Sequence, residues 1–323
     1  EISTGIAPFT TEVDGNDGND EIFVRNNFGT VDIDGNEGTD NVYIGTLAPE
    51  YDAATNHISG NLQGIQATVT VADTGTGLSE RDEVNTDDNV KPIENTGLYT
   101  TTNLGGLGMT GATNPNENIV YSGLEAFNLY LGQGHDRLFI EDTHTTETKI
   151  VGNGGSDAFL ATRLTGNVEL IGDYEAAVPI ASRTSEVNIG TTSSPVLVPV
   201  SEAADYVFVE SVTGGNTEFT LNISTDNDAD VIDITTIEAG MGGVVISGEG
   251  GDDYIRVENV NSALTIHGDN GDVNSTANLS DKDVIFVDSA NAQTIINGNG
   301  DDDRIYLRSN TAEVTINSGS AGD

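Results

Sequence analysis

The stretch Val244–Val257, VVISGEGGDDYIRV, decides the fold. Val244 and Ile246 lie two residues apart, Gly248 to Asp253 form a turn of glycines and acids, and Ile255 and Val257 resume the alternation. Alternation on both sides of a turn describes two strands, each with one buried face. The unit recurs. Gly268, Gly298 and Ser318 open later copies, 30 and then 20 residues apart, and Gly15 and Gly35 open two earlier ones, again 20 apart. A fixed period with the same turn chemistry at every second corner is the mark of stacked coils. The fold class expected is all-β: a parallel β-helix, or β-solenoid, of about 20 residues per coil with Gly/Asp turns along one edge. An antiparallel sandwich of hairpins would require no such period.

Outward from that stretch, the chain divides into 1–45 and 119–173 as coils, 205–323 as the most regular coils, and 46–118 and 174–204 as excursions, all within one continuous elongated domain. The span 46–118 holds one clear strand, Gln66 to Val71, and is read as a large excursion or as degenerate coils, with 77–96 its most mobile part. The gap of 30 between Asp253 and Asp283 implies that about ten residues, Val273 to Lys282, are looped out of a coil. Solenoids tolerate such insertions at one place in the coil.

Charge is the compositional outlier: 53 acids against 11 bases, a net charge of −42. Such a chain avoids nucleic acid and anionic membranes and attracts cations. There is no cysteine, hence no disulfide and no thiolate metal site. No apolar run approaches the ~18 residues of a membrane span, so no membrane insertion is expected. Glu1 starts without a leader and SGSAGD ends within a turn, so the chain reads as a piece of a longer protein.

The position of the acids matters more than their number. Coils stack ~4.8 Å apart, so an aspartate at the same corner of every coil makes a ladder of like charges. At an effective dielectric near 20, each neighbouring pair repels by about 3 kcal/mol. Few basic residues are available to offset this. A hard divalent cation would, and Ca²⁺ accepts 6–8 oxygens in flexible geometry.

The turns GNDGND, GNEGTD, GNGGSD and GEGGDD, each followed by an apolar-x-apolar strand, resemble the hemolysin-type (RTX) repeat GGxGxDxUx. The resemblance covers about half the chain. It implies a secreted bacterial protein that binds several Ca²⁺ ions between successive turns. The ligands it implies are Asp20, Asp40, Asp136, Asp157, Asp253 and Asp303, with Asp230 and Asp283 as weaker matches. Asp17, Asp252 and Asp302 lie in the same turns, and Gly18 and Gly38 would offer carbonyls. The chain departs from the family at the opposite corner, which reads RNNFGT, ENVNSA, DSANAQ or RSNTAE, so metal is expected along one edge only. Asp228 and Asp301 replace the fourth-position glycine. The span from VTVADTG to IVYSGLEAFNLYLG also looks like a segment of very large bacterial repeat proteins.

Other chemistry is thin. The chain has no HExxH, GxSxG, P-loop or EF-hand loop, and DNDAD at 226–230 lacks the glycine and glutamate that an EF-hand needs. Four histidines occur, His57, His135, His144 and His267; His135 and His267 lie in or beside turns and read as solvent-exposed turn residues. Tyr43, Tyr130, Tyr254 and Tyr306 fall at outward phases of their strands. The expected function is therefore not enzymatic. The chain would be a calcium-binding structural module of a large secreted or cell-surface bacterial protein, serving as filament, matrix or adhesin stalk. Its partners would be neighbouring copies or flanking segments stacked end to end. The alternatives are a module that binds a cell-surface glycan or partner through the excursions and, less favoured, a β-helix enzyme acting on polysaccharide.

Overall fold

A computed structural model describes residues 9–319, apart from 47–50, 53–56, 59, 73–82, 88–94, 113, 115–116, 133, 174–184, 189–196, 201–203, 215–219, 226–227, 270–280 and 301. Most of the proposed loop at 273–282 and most of the excursion 174–204 thus lie outside the described residues. The chain forms two compact units, Glu1–Asn153 and Gly154–Asp323. Each is a parallel β-helix of two facing sheets. Among the described residues the only helical turn is the 3₁₀ segment Leu62–Gly64, and no helix is long and apolar enough to cross a membrane.

The second unit is the more regular. Its first sheet stacks Ala158–Thr165, Tyr206–Thr213, Val231–Ile237, Tyr254–Val260, Val284–Ala290 and Arg304–Leu307; its second stacks Asn167–Asp173, Thr220–Ser224, Gly243–Glu249, Leu264–Asp269, Thr294–Asn297 and Val314–Asn317. Neighbouring strands in both sheets pair in parallel, with Ile232, Ile255, Ile285 and Ile305 in one register. The alternation read in the sequence sets the faces. Ile232, Ile234, Ile255, Val257, Ile285, Val287 and Ile296 are fully buried between the sheets.

The first unit departs from that regularity. Its second sheet is parallel throughout: Glu21–Val24, Asn41–Ile44, Glu83–Asp87, Ala126–Tyr130 and Glu147–Asn153. Its first sheet runs Thr11–Asp14, Val31–Asp34, Val69–Ala72, Ile119–Ser122, Asn103–Gly106, Thr96–Tyr99, Arg137–Ile140. Asn103–Gly106 is antiparallel to both neighbours. The span 46–118 is therefore not one excursion with a single strand. Val69–Ala72 and Glu83–Asp87 are ordinary coil strands, and Glu83–Asp87 falls within the stretch read as most mobile. The reversed strand exists because its glycines allow it. Gly106 has φ +82°, and a Cβ there would strike the Thr96 carbonyl.

The reversal brings large rings inside. Tyr99, Tyr121 and Phe127 are buried with centroids 4.5–6.2 Å apart, and the Tyr121 hydroxyl donates to the Thr100 carbonyl at 2.5 Å. Burial pushes the Tyr99 hydroxyl up to about 12. His144 joins this group, 5.9 Å from the Tyr121 ring and 8 % exposed; in the second unit His267, read as a solvent-exposed turn residue, stands half-buried on the strand Leu264–Asp269. Tyr130, at 9 % exposure, is likewise not on the surface.

Candidate metal centre

The repeated turn has a repeated conformation. Its second position is left-handed even where it is not glycine: Asn16 (φ 67°), Asn36 (φ 69°), Glu249 (φ 71°) and Asn299 (φ 72°). Its fourth position is a glycine at positive φ, as in Gly18, Gly38 and Gly251. Asparagine tolerates this region because its short amide bonds to local backbone. The Asn16 Nδ2 does so, donating to the Asp14 carbonyl at 3.1 Å. These two bends deliver the sixth residue, aspartate, to the start of the next strand with its side chain turned into the corner.

There the aspartates form a ladder. In the second unit the backbone N–H of each donates to Oδ1 of the next: Asp157 to Asp205 at 2.8 Å, Asp205 to Asp230 at 2.6 Å, Asp230 to Asp253 at 2.8 Å, Asp253 to Asp283 at 2.9 Å and Asp283 to Asp303 at 3.1 Å. In the first unit Asp20 N–H donates to Asp40 Oδ1 at 2.7 Å. Each carboxylate thus takes the place of a strand carbonyl as acceptor, and one of its two oxygens is spent on the fold.

The second oxygen has a different environment. Oδ2 of Asp20, Asp253 and Asp283 is buried and accepts no hydrogen bond. It faces the glycine that opens its own turn. A Cβ on Gly248 would strike Asp253 Oδ2 and lie 2.6 Å from the Gly268 carbonyl oxygen. On Gly268 it would strike Asp283 Oδ2 with the Gly298 carbonyl 2.9 Å away, and on Gly15 it would lie 3.0 Å from Asp20 Oδ2 and 2.6 Å from the Gly35 carbonyl. A carboxylate oxygen from one coil and a carbonyl oxygen from the next therefore converge beside these three opening glycines. Glycine is required there for space, since a side chain would fill the cradle.

Burial makes the ladder electrostatically costly. The Asp253 carboxyl is pushed well above the usual range, first by burial and then by Asp230 and Asp283. Asp283 is pushed up to about 8 by burial, partly offset by the Asp253 N–H it accepts, with Asp269, Asp303 and Asp281 adding to the rise. A buried carboxylate in this position must be neutralised by a proton or by a cation.

The donors fit a hard cation. They are oxygens only, one anionic and one carbonyl at each cradle, which suits Ca²⁺ better than a nitrogen- or sulfur-seeking metal. Among the described residues no three carboxylate or imidazole side chains converge on one point. A cation here would therefore draw much of its coordination from carbonyls and water.

The implied ligands divide. Asp20, Asp40, Asp157, Asp230, Asp253, Asp283 and Asp303 all stand in the ladder. Asp136 makes the equivalent contact at another corner, accepting the Asn95 N–H at 2.7 Å, but its Oδ2 is also taken, by the Gly132 N–H at 3.0 Å. Asp17, Asp252 and Asp302 point into solvent instead. Asp252 accepts the Lys282 N–H at 2.8 Å, and Asp302 lies 3.4 Å from Lys282 Nζ. Of the two glycines expected to offer carbonyls, Gly18 has open space where a Cβ would stand, while a Cβ on Gly38 would strike the Gly18 carbonyl.

Asp205 belongs to the set and was missed. It is fully buried, and a Cβ on Gly172 would strike its Oδ2. The signal was the outgoing alternation Asp205, Val207, Val209, but the insertion 174–204 separates Gly172 from Asp205 and hides the six-residue turn.

The expectation of a single edge fails in the first unit. The turns ending at Asp20 and Asp40 leave the first sheet and enter the second, whereas the turn ending at Asp136 leaves the second and enters the first. Because the coil strands within each sheet run parallel, these turns sit at opposite edges. In the second unit all of them join the second sheet to the first, at one edge.

No protein-family model, curated protein or solved structure matches this chain.

Proposed function

We propose that this chain is a calcium-binding structural module of a large secreted or cell-surface bacterial protein, in which Ca²⁺ bound along the aspartate ladder stiffens the coils. The carrying observation is the buried, unbonded Oδ2 of Asp20, Asp253 and Asp283, each beside a carbonyl from the next coil. Three further features agree with it. The chain has a large acid excess and no cysteine. The turns resemble hemolysin-type repeats. Extracellular calcium modules work at 10⁻⁴–10⁻³ M, a concentration available outside cells. The module acts as spacer, filament or matrix unit rather than as a catalyst, with neighbouring coils of the same long chain as its natural contacts.

Thermal melts followed by far-ultraviolet circular dichroism test this. After chelation with EDTA, adding Ca²⁺ raises the melting temperature by about 10 °C or more, since one site at a hundredfold excess over Kd contributes about 2.7 kcal/mol, about three such sites act together, and each kcal/mol shifts a chain of this size by roughly 1.5 °C. Mg²⁺, which demands tight octahedral geometry, gives a much smaller rise. Equal melts in EDTA and Ca²⁺ would remove the metal from the account.

A further inference from the structure

The outward face of the first sheet in the second unit carries a band of side chains that calcium does not use. Phe208, Asp233, Arg256, Phe286 and Tyr306 stand in one register across neighbouring strands. Phe286 and Tyr306 stack with centroids 4.4 Å apart and planes 7° apart, and Tyr254 lies 5.6 Å from Phe286. Beside them Val231 also points outward, yet it is 1 % exposed because Tyr206, Phe208 and Tyr254 pack over it. A solvent-facing strand position does not ordinarily bury an aliphatic, so this sheet has a second apolar layer on its outside. Tyr306 remains 45 % exposed at the margin. An outward aromatic band of this kind marks an interaction surface.

Charge and ring orientation indicate the partner. Of the chain's 11 basic residues, three, Arg256, Arg304 and Arg308, stand on this band. Arg256 pairs with Glu258 at 2.7 Å, Asp288 at 3.1 Å and Asp233 at 3.8 Å, and Arg308 pairs with Asp288 at 3.3 Å while its side chain stays 73 % exposed. The band is thus nearly neutral on a chain of net charge −42, whose remaining surface repels another copy.

The band is also polarised. Arg304 and Arg308 are exposed on the last strand of the sheet and Glu210 is exposed on Tyr206–Thr213, with three strands between. A two-fold axis lying in the interface and parallel to the strands sets Arg308 of each copy over Glu210 of the other. Rings stacked from strand to strand turn their edges outward. That suits face-to-face packing of two sheets about 10 Å apart and leaves few ring faces for a sugar.

We propose that this face is a lateral self-association surface, on which a second copy of the chain packs its own aromatic band about a two-fold axis. Five strands by three outward columns offer roughly 300 Å² per copy, well below the ~800 Å² of a stable interface. The association is therefore weak and depends on concentration. It does not rest on the calcium reading, which bears on the coil corners.

Sedimentation velocity of the full chain over a wide concentration range tests it, in Ca²⁺ and again in EDTA so that a metal effect is read separately. The expected result is a sedimentation coefficient that rises with concentration. Tyr306→Ser and Arg308→Glu each weaken association about fivefold, the worth of one interface contact of about 1 kcal/mol. Combining Arg308→Glu with Glu210→Arg recovers most of the loss. All three positions are exposed, so the circular dichroism spectrum stays unchanged and reports folding. A monomer at every concentration overturns the proposal, as do variants that associate like the parent or a double variant that recovers nothing. A monomer whose Tyr306→Ser variant alone loses retention on a polysaccharide matrix overturns it in favour of a glycan.

Discussion

Gly248→Ala melts well below the parent, while Gly243→Ala, five residues earlier in the same strand, melts with it. Gly248 needs no special φ, so alanine is conformationally acceptable there. The loss is one of space: the new Cβ meets Asp253 Oδ2 and lies 2.6 Å from the Gly268 carbonyl. Neither can retreat, because Asp253 is held by the Asp230 N–H at 2.8 Å and Gly268 belongs to the paired strand of the next coil. Overpacking a filled site costs about 3 kcal/mol at the upper end of its usual range. That corresponds to roughly 4–5 °C for a chain of this length. At Gly243 a Cβ meets nothing within 4 Å, so its alanine variant stays within about 0.5 kcal/mol of the parent. Equal melting of the two variants would show that the opening glycines have no packing role and that the cradle is loose.

The second large effect is a change of sign. Asp253→Asn keeps an amide oxygen to accept the Asp230 N–H but removes the charge. Without metal, the buried carboxylate is a liability, since it lies between Asp230 and Asp283 and Oδ2 has no hydrogen bond. Its removal stabilises the chelated protein by about 1 kcal/mol or more. With Ca²⁺ the same substitution destabilises, because the anionic ligand of that cradle is gone, and the calcium-induced rise in melting temperature shrinks. Asp253→Ala separates the two roles. It leaves the Asp230 N–H without its acceptor and costs about 1–3 kcal/mol with or without metal. Chemical denaturation of the three proteins in EDTA and in Ca²⁺ checks this. If asparagine behaves alike in both buffers, the aspartates serve the fold alone.

Where the coil is short and unbroken, its pattern was open to reading. The Gly248–Asp253 and Gly298–Asp303 turns carry every instruction within six residues: a left-handed second position, an aspartate at the end and alternating aliphatics on both sides. The parallel stacking and the buried column Ile232, Ile255, Ile285 follow from these. Where an insertion separates the glycine from its aspartate, the pattern is illegible from local spacing. Asp205 pairs with Gly172 through space alone.

Two other features depended on contacts that no periodicity records. The reversed strand Asn103–Gly106 reads as a glycine-rich loop, because its pairing with Thr96–Tyr99 and Ile119–Ser122 is set by tertiary fit. The exchange of turn edge within the first unit needs a count of half-coils through 46–118, which the irregular segments obscure. The outward phase of Tyr254 and Tyr306 is legible, but Phe286, in register with Tyr306 and in ring contact with Tyr254, is not, since it belongs to a coil 30 residues further on.

The central claim is that the spare ladder oxygens hold calcium. The most direct test is long-wavelength anomalous diffraction from crystals grown in Ca²⁺. Anomalous peaks about 2.3–2.6 Å from Asp253 Oδ2 and the Gly268 carbonyl, repeated at Asp283 with Gly298, are the predicted result. Corners without anomalous signal, in crystals that diffract well enough to show it elsewhere, would contradict the claim and leave the ladder as a hydrogen-bonded spine that carries protons in place of metal.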